Sequence, residues 1–366
     1  MPQHPHPAIG LQVTSLDTPS LLVDLDRFER NVAAMAAYCE RVPVNLRPHA
    51  KTHKCPEIAR RQVEAGAIGI TCAKVGEAEV LVEGGLSDIL IANEIVGPQK
   101  IERLMALARR ADMMVAVDHP RNVEALSDAT VRAGARLRVL VDVDIGMGRC
   151  GVPPGDAAVE LAQHVARVPG LVFAGVMGYE GHTVDIPDRS ERRQKTTEAV
   201  AHLLETKDRI ERLSIPVEIV SGGGTGTYDI TGPFGVTELQ AGSYIFMDTT
   251  YRKVLQGFEH ALFVLATVIS RPTARRVITD TGVKTFAGDY GQPAFRDIPD
   301  ATLESLSEEH GNFLLNEDSD VPELGEKVIL MPGHCCTTAN LHEEYYVIQD
   351  GRVVDVWPIA ARGKSR

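Results

Sequence analysis

The segment LRPHAKTHK at 46–54 holds two lysines, two histidines and one arginine in nine residues, directly after an apolar run. A lysine at the end of a strand, set among other cations, loses hydration and proton affinity, and its amine becomes a nucleophile toward aldehydes. Lys51 fits that role better than Lys54. It follows Arg47 and His49 at the spacing of two that places strand residues on one face, whereas Lys54 opens the next helix. Taken alone, a rim salt bridge is the commoner use of such a lysine, so its neighbours in the sequence matter.

In DVDIGMGRCGV at 142–152, glycines precede Arg149 and let the backbone approach a ligand closely. An arginine so placed can fix an anion or hydrogen-bond a ring nitrogen. GYEGH at 178–182 sets Tyr179 and His182 at a glycine-flanked turn, where an ordinary core tyrosine is the plainer alternative. Two glycine-rich stretches follow, SGGGTGTYD at 221–229 and QAGSYIFMD at 240–248. Their backbone N–H groups could form a nest for a phosphate, with Ser221, Gly223, Gly224, Thr225, Gly242, Ser243 and Tyr244 as the candidate donors. No βαβ fingerprint with an acidic residue about 20 positions on supports a dinucleotide. One lysine for an aldehyde, one arginine for a ring nitrogen and one phosphate nest together suggest pyridoxal 5'-phosphate. A separate cluster lies in MPGHCCTTANLHEEYYV at 331–347. There His334 and Cys336, two apart on an expected strand, could share a divalent metal. A packed thiol beside a hydrogen-bonded histidine is the simpler alternative, and His342 lies too far along to be counted from spacing.

These residues need a scaffold. Eight apolar runs, at 44–50, 68–73, 88–94, 113–118, 137–144, 172–180, 217–223 and 238–247, alternate with amphipathic stretches such as CPEIARRQVEAG and QKIERLMALARRA. Eight strands with a helix in each gap is the count of a (β/α)8 TIM-type barrel, whose chemistry gathers at the strand ends. After residue 255 the pattern turns to β-branched runs separated by turn signals. The expected organisation is an α/β barrel over 20–254 and a second, C-terminal β-rich domain made of 1–19 plus 255–366 that carries the metal pair. SLLVDLD near residue 20 could belong to either.

Composition narrows the partners. Fifty acidic against 38 basic residues give a formal charge of -12, and no basic stripe offsets it, so nucleic acid and anionic membrane are not expected. No leader-like start and no run near 18 apolar residues points to a membrane, and the six irregularly spaced cysteines suggest a reduced, cytoplasmic protein.

The motifs TPSLLVDLD, RPHAKTHK, NEIVGPQK, VDVDIGMGRCGV, SGGGTGTYD, TELQAGSYIFMD, GHCCTTANLH and ARGKSR, in order from about residue 18 to the end, resemble the D-threonine aldolase and D-serine dehydratase family. These are fold-type III pyridoxal phosphate enzymes with an alanine-racemase-like barrel and a C-terminal β-domain. The resemblance implies that Lys51 bonds the cofactor aldehyde and Arg149 faces the pyridine nitrogen. It sets Tyr179 with segments 222–226 and 242–244 around the cofactor, and His334 with Cys336 on the metal-ligand positions. A homodimer is also implied. In the bacterial aldolases the second metal ligand is typically aspartate, and here it is Cys336. His-x-Cys is the zinc pattern of eukaryotic D-serine dehydratases, which favours zinc over manganese or magnesium. NEIVGPQK and ARGKSR lean toward the aldolases and HCCTT toward the dehydratase.

The implied reaction is retro-aldol cleavage of D-threonine-type substrates, with dehydration to a keto acid and ammonia as the alternative. Proton acceptors for the β-hydroxyl include His49, His182 and a metal-bound water. Racemisation would need an opposing tyrosine acid/base and no metal, and a non-catalytic cofactor carrier would not need the β-rich region.

Overall fold

The computed structural model describes residues 6–288, 290–316 and 321–366. Its first strands in chain order are β1 (Ser20–Asp24), β2 (Asn45–Leu46), β3 (Ile70–Cys72), β4 (Asp88–Glu94), β5 (Asp112–Val117), β6 (Leu137–Asp142), β7 (Leu171–Met177), β8 (Ile219–Gly222) and β9 (Glu238–Leu239). Eight further strands follow: β10 (Leu262–Thr273), β11 (Arg276–Thr279), β12 (Ala294–Phe295), β13 (Thr302–Leu306), β14 (Gly311–Leu314), β15 (Lys327–Met331), β16 (Glu344–Gln349) and β17 (Arg352–Pro358).

Strands β2 to β9 form one parallel sheet in the order β2-β9-β8-β7-β6-β5-β4-β3, and a parallel bridge from His49 to Thr71 joins its two ends. Each expected run overlaps one of these strands. The eighth is much shorter than its apolar pattern: only Glu238–Leu239 pairs, and Ser243–Ile245 is a tight 3-10 turn. Helices fill the gaps, each started by local chemistry. Pro98 and Pro120 open α4 (Pro98–Ala108) and α5 (Pro120–Ala133), where a missing N–H costs nothing. The Asp188 side chain accepts from Glu191 N–H at 2.8 Å to start the helix Arg189–Glu211.

Alternation along the strands sorts the side chains into layers, because residues two apart share a face. Charges come first: Arg47 Nε lies 3.1 Å from Glu238 Oε2, and its Nη1 lies 2.6 Å from Asp88 Oδ1. Arg138 links Asp88 at 2.7 Å to Asp112 at 2.9 Å. One step along come Leu90, Met114, Ala116, Leu140 and Ala174, a packed apolar layer. At the strand ends come Glu94, Asp118 and Asp142. The apolar middle makes this interior a core, and the reactive residues sit past its far side.

Packing divides the chain differently from the expected cuts at 20 and 254. One unit takes the residues up to Ala34, Thr52–Cys55 and Ser243–Arg362; the other takes Met35–Lys51, Pro56–Gly242 and Gly363–Arg366. β1 falls in the β-rich unit because it pairs antiparallel with β10, Leu21 opposite Val264, and parallel with β16, Leu22 opposite Tyr346. That sheet runs β13-β14-β11-β10-β1-β16-β17, with β15 paired to β10 and β12. Leu22, Phe263, Leu265, Ile348 and Val353 form a core cluster against it. Among the described residues no helix is long and apolar enough to cross a membrane.

The Arg47 guanidinium and the Glu238 carboxylate are each about 1% exposed. Removing one member of such a pair leaves a buried charge alone. Arg47→Met is expected to lower unfolding stability by about 3–5 kcal/mol in urea melts.

Candidate active site and metal pair

The barrel unit presents Lys51, Arg149 and Tyr179 together. Lys51 leaves β2 on a single 3-10 turn, Ala50–Thr52, in which its N–H donates to His49 Nδ1 at 3.3 Å. His49 is therefore buried as a brace for that turn, with one ring nitrogen committed to the backbone. The Lys51 ammonium and the Arg149 guanidinium each lie 5.7 Å from the centroid of the Tyr179 ring. Tyr179 is half-buried, with two exposed cations against one ring, which is unlike a core tyrosine.

The loop carrying Arg149 is pinned at its base and along its length. Asp144 N–H donates to Val152 O at 2.9 Å and Val152 N–H to Asp142 O at 3.0 Å. Asp144 Oδ1 accepts from Gly148 and Gly146 N–H, both at 3.0 Å, and those bonds hold its carboxyl below the usual range. Gly151 takes φ +104° and donates to Asp118 Oδ2 at 3.2 Å; a Cβ there would lie 2.6 Å from Asp144 N. Beneath the loop the buried Asp142 carboxyl is pushed up to about 8, by burial first and the neighbouring Glu94 next, with Arg149 opposing. Ligand atoms of Glu94, Asp118 and Cys150 lie within 4.8 Å of one another. The only signal in the sequence that singles out Glu94, Asp118 and Asp142 is an acidic residue at the end of three successive barrel strands. His182 stands exposed, and a Cβ on Gly146 would meet its ring at about 3.0 Å.

Two of the candidate nest N–H groups in the glycine-rich loop are engaged within the protein. Gly223 N–H donates to Glu180 Oε2 at 3.2 Å and Gly224 N–H to Thr227 Oγ1 at 3.0 Å. Thr227 and Thr231 hydroxyls donate to Glu180 Oε1 at 2.7 and 2.5 Å. The fully buried Glu180 thus takes a donor that the pattern offered to a phosphate, and Thr227 takes another. Ser221 is likewise committed, donating to Glu238 Oε1 at 2.7 Å and accepting from Gln240 at 2.8 Å. A Cβ on Gly224 would stand 3.3 Å from the Tyr179 ring, a tight contact that glycine avoids. Thr225 follows, buried, and Gly242 lies at the end of the last barrel segment. A ligand that bonds an amine, meets a guanidinium and stacks near Tyr179 fits these residues, and a planar aldehyde with an acidic group has that chemistry.

The second cluster belongs wholly to the β-rich unit. His334 and Cys336 are not on a strand: β15 ends at Met331, and His334 is the extended residue before the short helix α10 (Cys335–Ala339). The turn still brings their ligand atoms, and that of Cys335, within 4.8 Å of one another. Asp248, fully buried, accepts from His334 Nδ1 at 2.9 Å and from Cys335 N–H at 3.0 Å, and replaces the pairing a strand would have given. Cys336 Sγ lies 3.4 Å from Ser243 Oγ and 3.3 Å from Thr52 Oγ1. Ser243 thus has its side chain on the thiol, and Tyr244 is a core residue with its ring 5.6 Å from Phe258. In the chain, Thr52 directly follows Lys51 and Ser243 directly follows Gly242. His342 is engaged elsewhere, its Nε2 3.0 Å from Thr285 O.

The electrostatics suit a metal. The Cys336 thiol is held well below its ordinary value by hydrogen bonding from Cys335 and by His334, against burial. Burial would lower His334, but Cys336 and Asp248 outweigh it and raise the ring to about 10. A thiolate and an imidazole nitrogen are a soft donor pair that fits zinc. Cys336 and Asp248 favour the protonated His334 ring, so a zinc ion bound there would have to displace that proton. Zinc affinity is expected to rise about tenfold per pH unit between pH 6.5 and 8.5 in chelator competition, where a flat profile would contradict the protonated ring.

The chain is similar over most of its length to several characterised proteins. Residues 23–250 match the family described as alanine racemase, N-terminal domain, and 261–348 match a serine dehydratase domain. It is 44% identical to a D-threonine aldolase of Arthrobacter sp, covering 98% of this chain and 96% of that protein. It is 37% identical to a 3-hydroxy-D-aspartate aldolase of Paracoccus denitrificans, over 97% and 95%. A D-threo-3-hydroxyaspartate dehydratase of Delftia sp. is 30% identical over 94% and 97%. The crystal structure of D-threonine aldolase from Filomicrobium marinum superposes with a TM-score of 0.95 at 43% identity, covering 97% of this chain and 98% of that one.

Proposed function

The chain belongs to the family of the D-threonine aldolases, pyridoxal-phosphate lyases on the alanine-racemase fold, and from that premise we propose that it cleaves β-hydroxy-D-amino acids by a retro-aldol reaction. D-Threonine-type substrates would give glycine and an aldehyde. The observation that carries this choice is the order of similarity, with aldolases at 44% and 37% and the dehydratase at 30%, all over nearly the whole chain.

Lys51 would hold the aldehyde carbon of pyridoxal 5'-phosphate, Arg149 its pyridine nitrogen, and Tyr179, Gly224 and Thr225 its face and phosphate side. When bound, the cofactor supplies an electron sink for the pair released at Cα. Arg149, which can only donate, would hydrogen-bond the ring nitrogen without protonating it, which weakens that sink and makes help at the β-hydroxyl useful. His334 and Cys336 would supply that help through zinc, lowering the pKa of the hydroxyl. In the cleavage the hydroxyl loses its proton, the Cα–Cβ bond breaks, and Cα regains a proton as glycine forms. His182 is the more available acceptor of the two histidines, because His49 already spends one nitrogen on Lys51 N–H. Six free cysteines fit a reducing cytoplasm, and a homodimer is the assembly we expect.

Dehydration is the second reading, favoured specifically by the soft Cys336 ligand. Incubation of zinc- or manganese-loaded protein with D-threonine and D-serine decides: glycine with acetaldehyde is expected, and keto acid with ammonia would make the protein a dehydratase. Lys51→Ala is expected to remove the visible-edge absorbance of the lysine-bound cofactor and all turnover; a retained band would take Lys51 out of its role.

A further inference from the structure

Asp248 is fully buried at the end of the segment YIFMD and makes three hydrogen bonds with one carboxylate. Oδ1 accepts from Tyr251 N–H at 2.8 Å, which anchors it to its own turn. Oδ2 is shared between His334 Nδ1 at 2.9 Å and Cys335 N–H at 3.0 Å. One oxygen therefore fixes both the imidazole and the backbone that leads to the Cys336 thiol. Tyr290 and Tyr251 stand beside the same imidazole, with ring centroids 5.0 and 6.3 Å away, which limits its rotation.

We propose that Asp248 is the positioning residue of the metal pair: it commits His334 Nδ1, so that Nε2 is the nitrogen offered to the ion, and holds Cys336 in register with it. A carboxylate on the far nitrogen of a ligating histidine fixes the tautomer and makes the near nitrogen more basic. This rests on the metal reading of His334 and Cys336 above. The plainer role for Asp248 is to cap the first turn of α10 through Cys335 N–H. The two roles separate in Asp248→Asn, whose carbonyl oxygen can still cap that turn but carries no charge. The amide also cannot accept on both sides, so with its oxygen kept on His334 and Cys335 the bond from Tyr251 N–H is lost.

The test is zinc affinity of the cofactor-loaded full chain, read by competition with a chromophoric chelator, for the parent, Asp248→Asn and His334→Ala. We expect Asp248→Asn to bind zinc 10–100-fold more weakly with its cofactor spectrum unchanged, and His334→Ala to lose the tight site. An Asp248→Asn affinity within twofold of the parent would leave Asp248 as a cap and overturn the proposal. If the parent holds no tight zinc, or His334→Ala changes nothing, the metal reading falls and takes the proposal with it. A second measurement needs no variant of Asp248: in 15N-histidine-labelled, zinc-loaded protein, the His334 signal, assigned by its loss in His334→Ala, should show the proton on Nδ1. A proton on Nε2 would overturn the assignment.

Discussion

The barrel strands must turn alternate side chains toward one interior, and everything the barrel unit does depends on how that interior is filled. Parallel strands in register stack equivalent positions into layers. One layer holds Arg47 between Glu238 and Asp88, the next holds Leu90, Met114 and Leu140, and the strand ends hold Glu94, Asp118 and Asp142. Charges at one end pair with each other and are satisfied. At the other end an excess of carboxylates lies beneath a loop that exposes Arg149, and Asp142 is driven toward its neutral form. Stability and chemistry are thus separated by four to six residues of each strand, Asp88 from Glu94, Asp112 from Asp118 and Arg138 from Asp142.

Carboxylates recur as the fasteners of the candidate reactive groups. Asp144 closes the loop around Arg149, Glu180 ties the glycine-rich loop through two threonines and one N–H, and Asp248 ties His334 to Cys335. Each is an acceptor for several donors at once, which is how a loop too short for a core acquires a fixed shape. In the glycine-rich loop Gly223 and Gly224 turn their N–H groups inward, and Gly224 leaves no side chain beside Tyr179.

The His334–Cys336 pair shows the same trade at a different scale. Spacing of two predicts that His334 and Cys336 converge on one face of a strand, but Pro332 and Gly333 end the strand first. Their convergence comes instead from a helix start whose first N–H and preceding imidazole share one carboxylate oxygen. The proximity is the same and its cause is different, which is why the supporting residue was invisible from the pattern.

The sequence by itself determined the barrel, its eight strand positions and the residue types at their ends, because hydrophobic period and glycine placement are local properties of the chain. It also carried the family, through motifs spread from residue 18 to the end. Tertiary structure alone decided that β1 joins the β-rich sheet, since pairing with β10 and β16 involves residues more than 200 positions away. It alone decided which donors face inward, and that Glu180 and Asp248 hold the loops, because a hydrogen bond between distant segments has no periodicity to read.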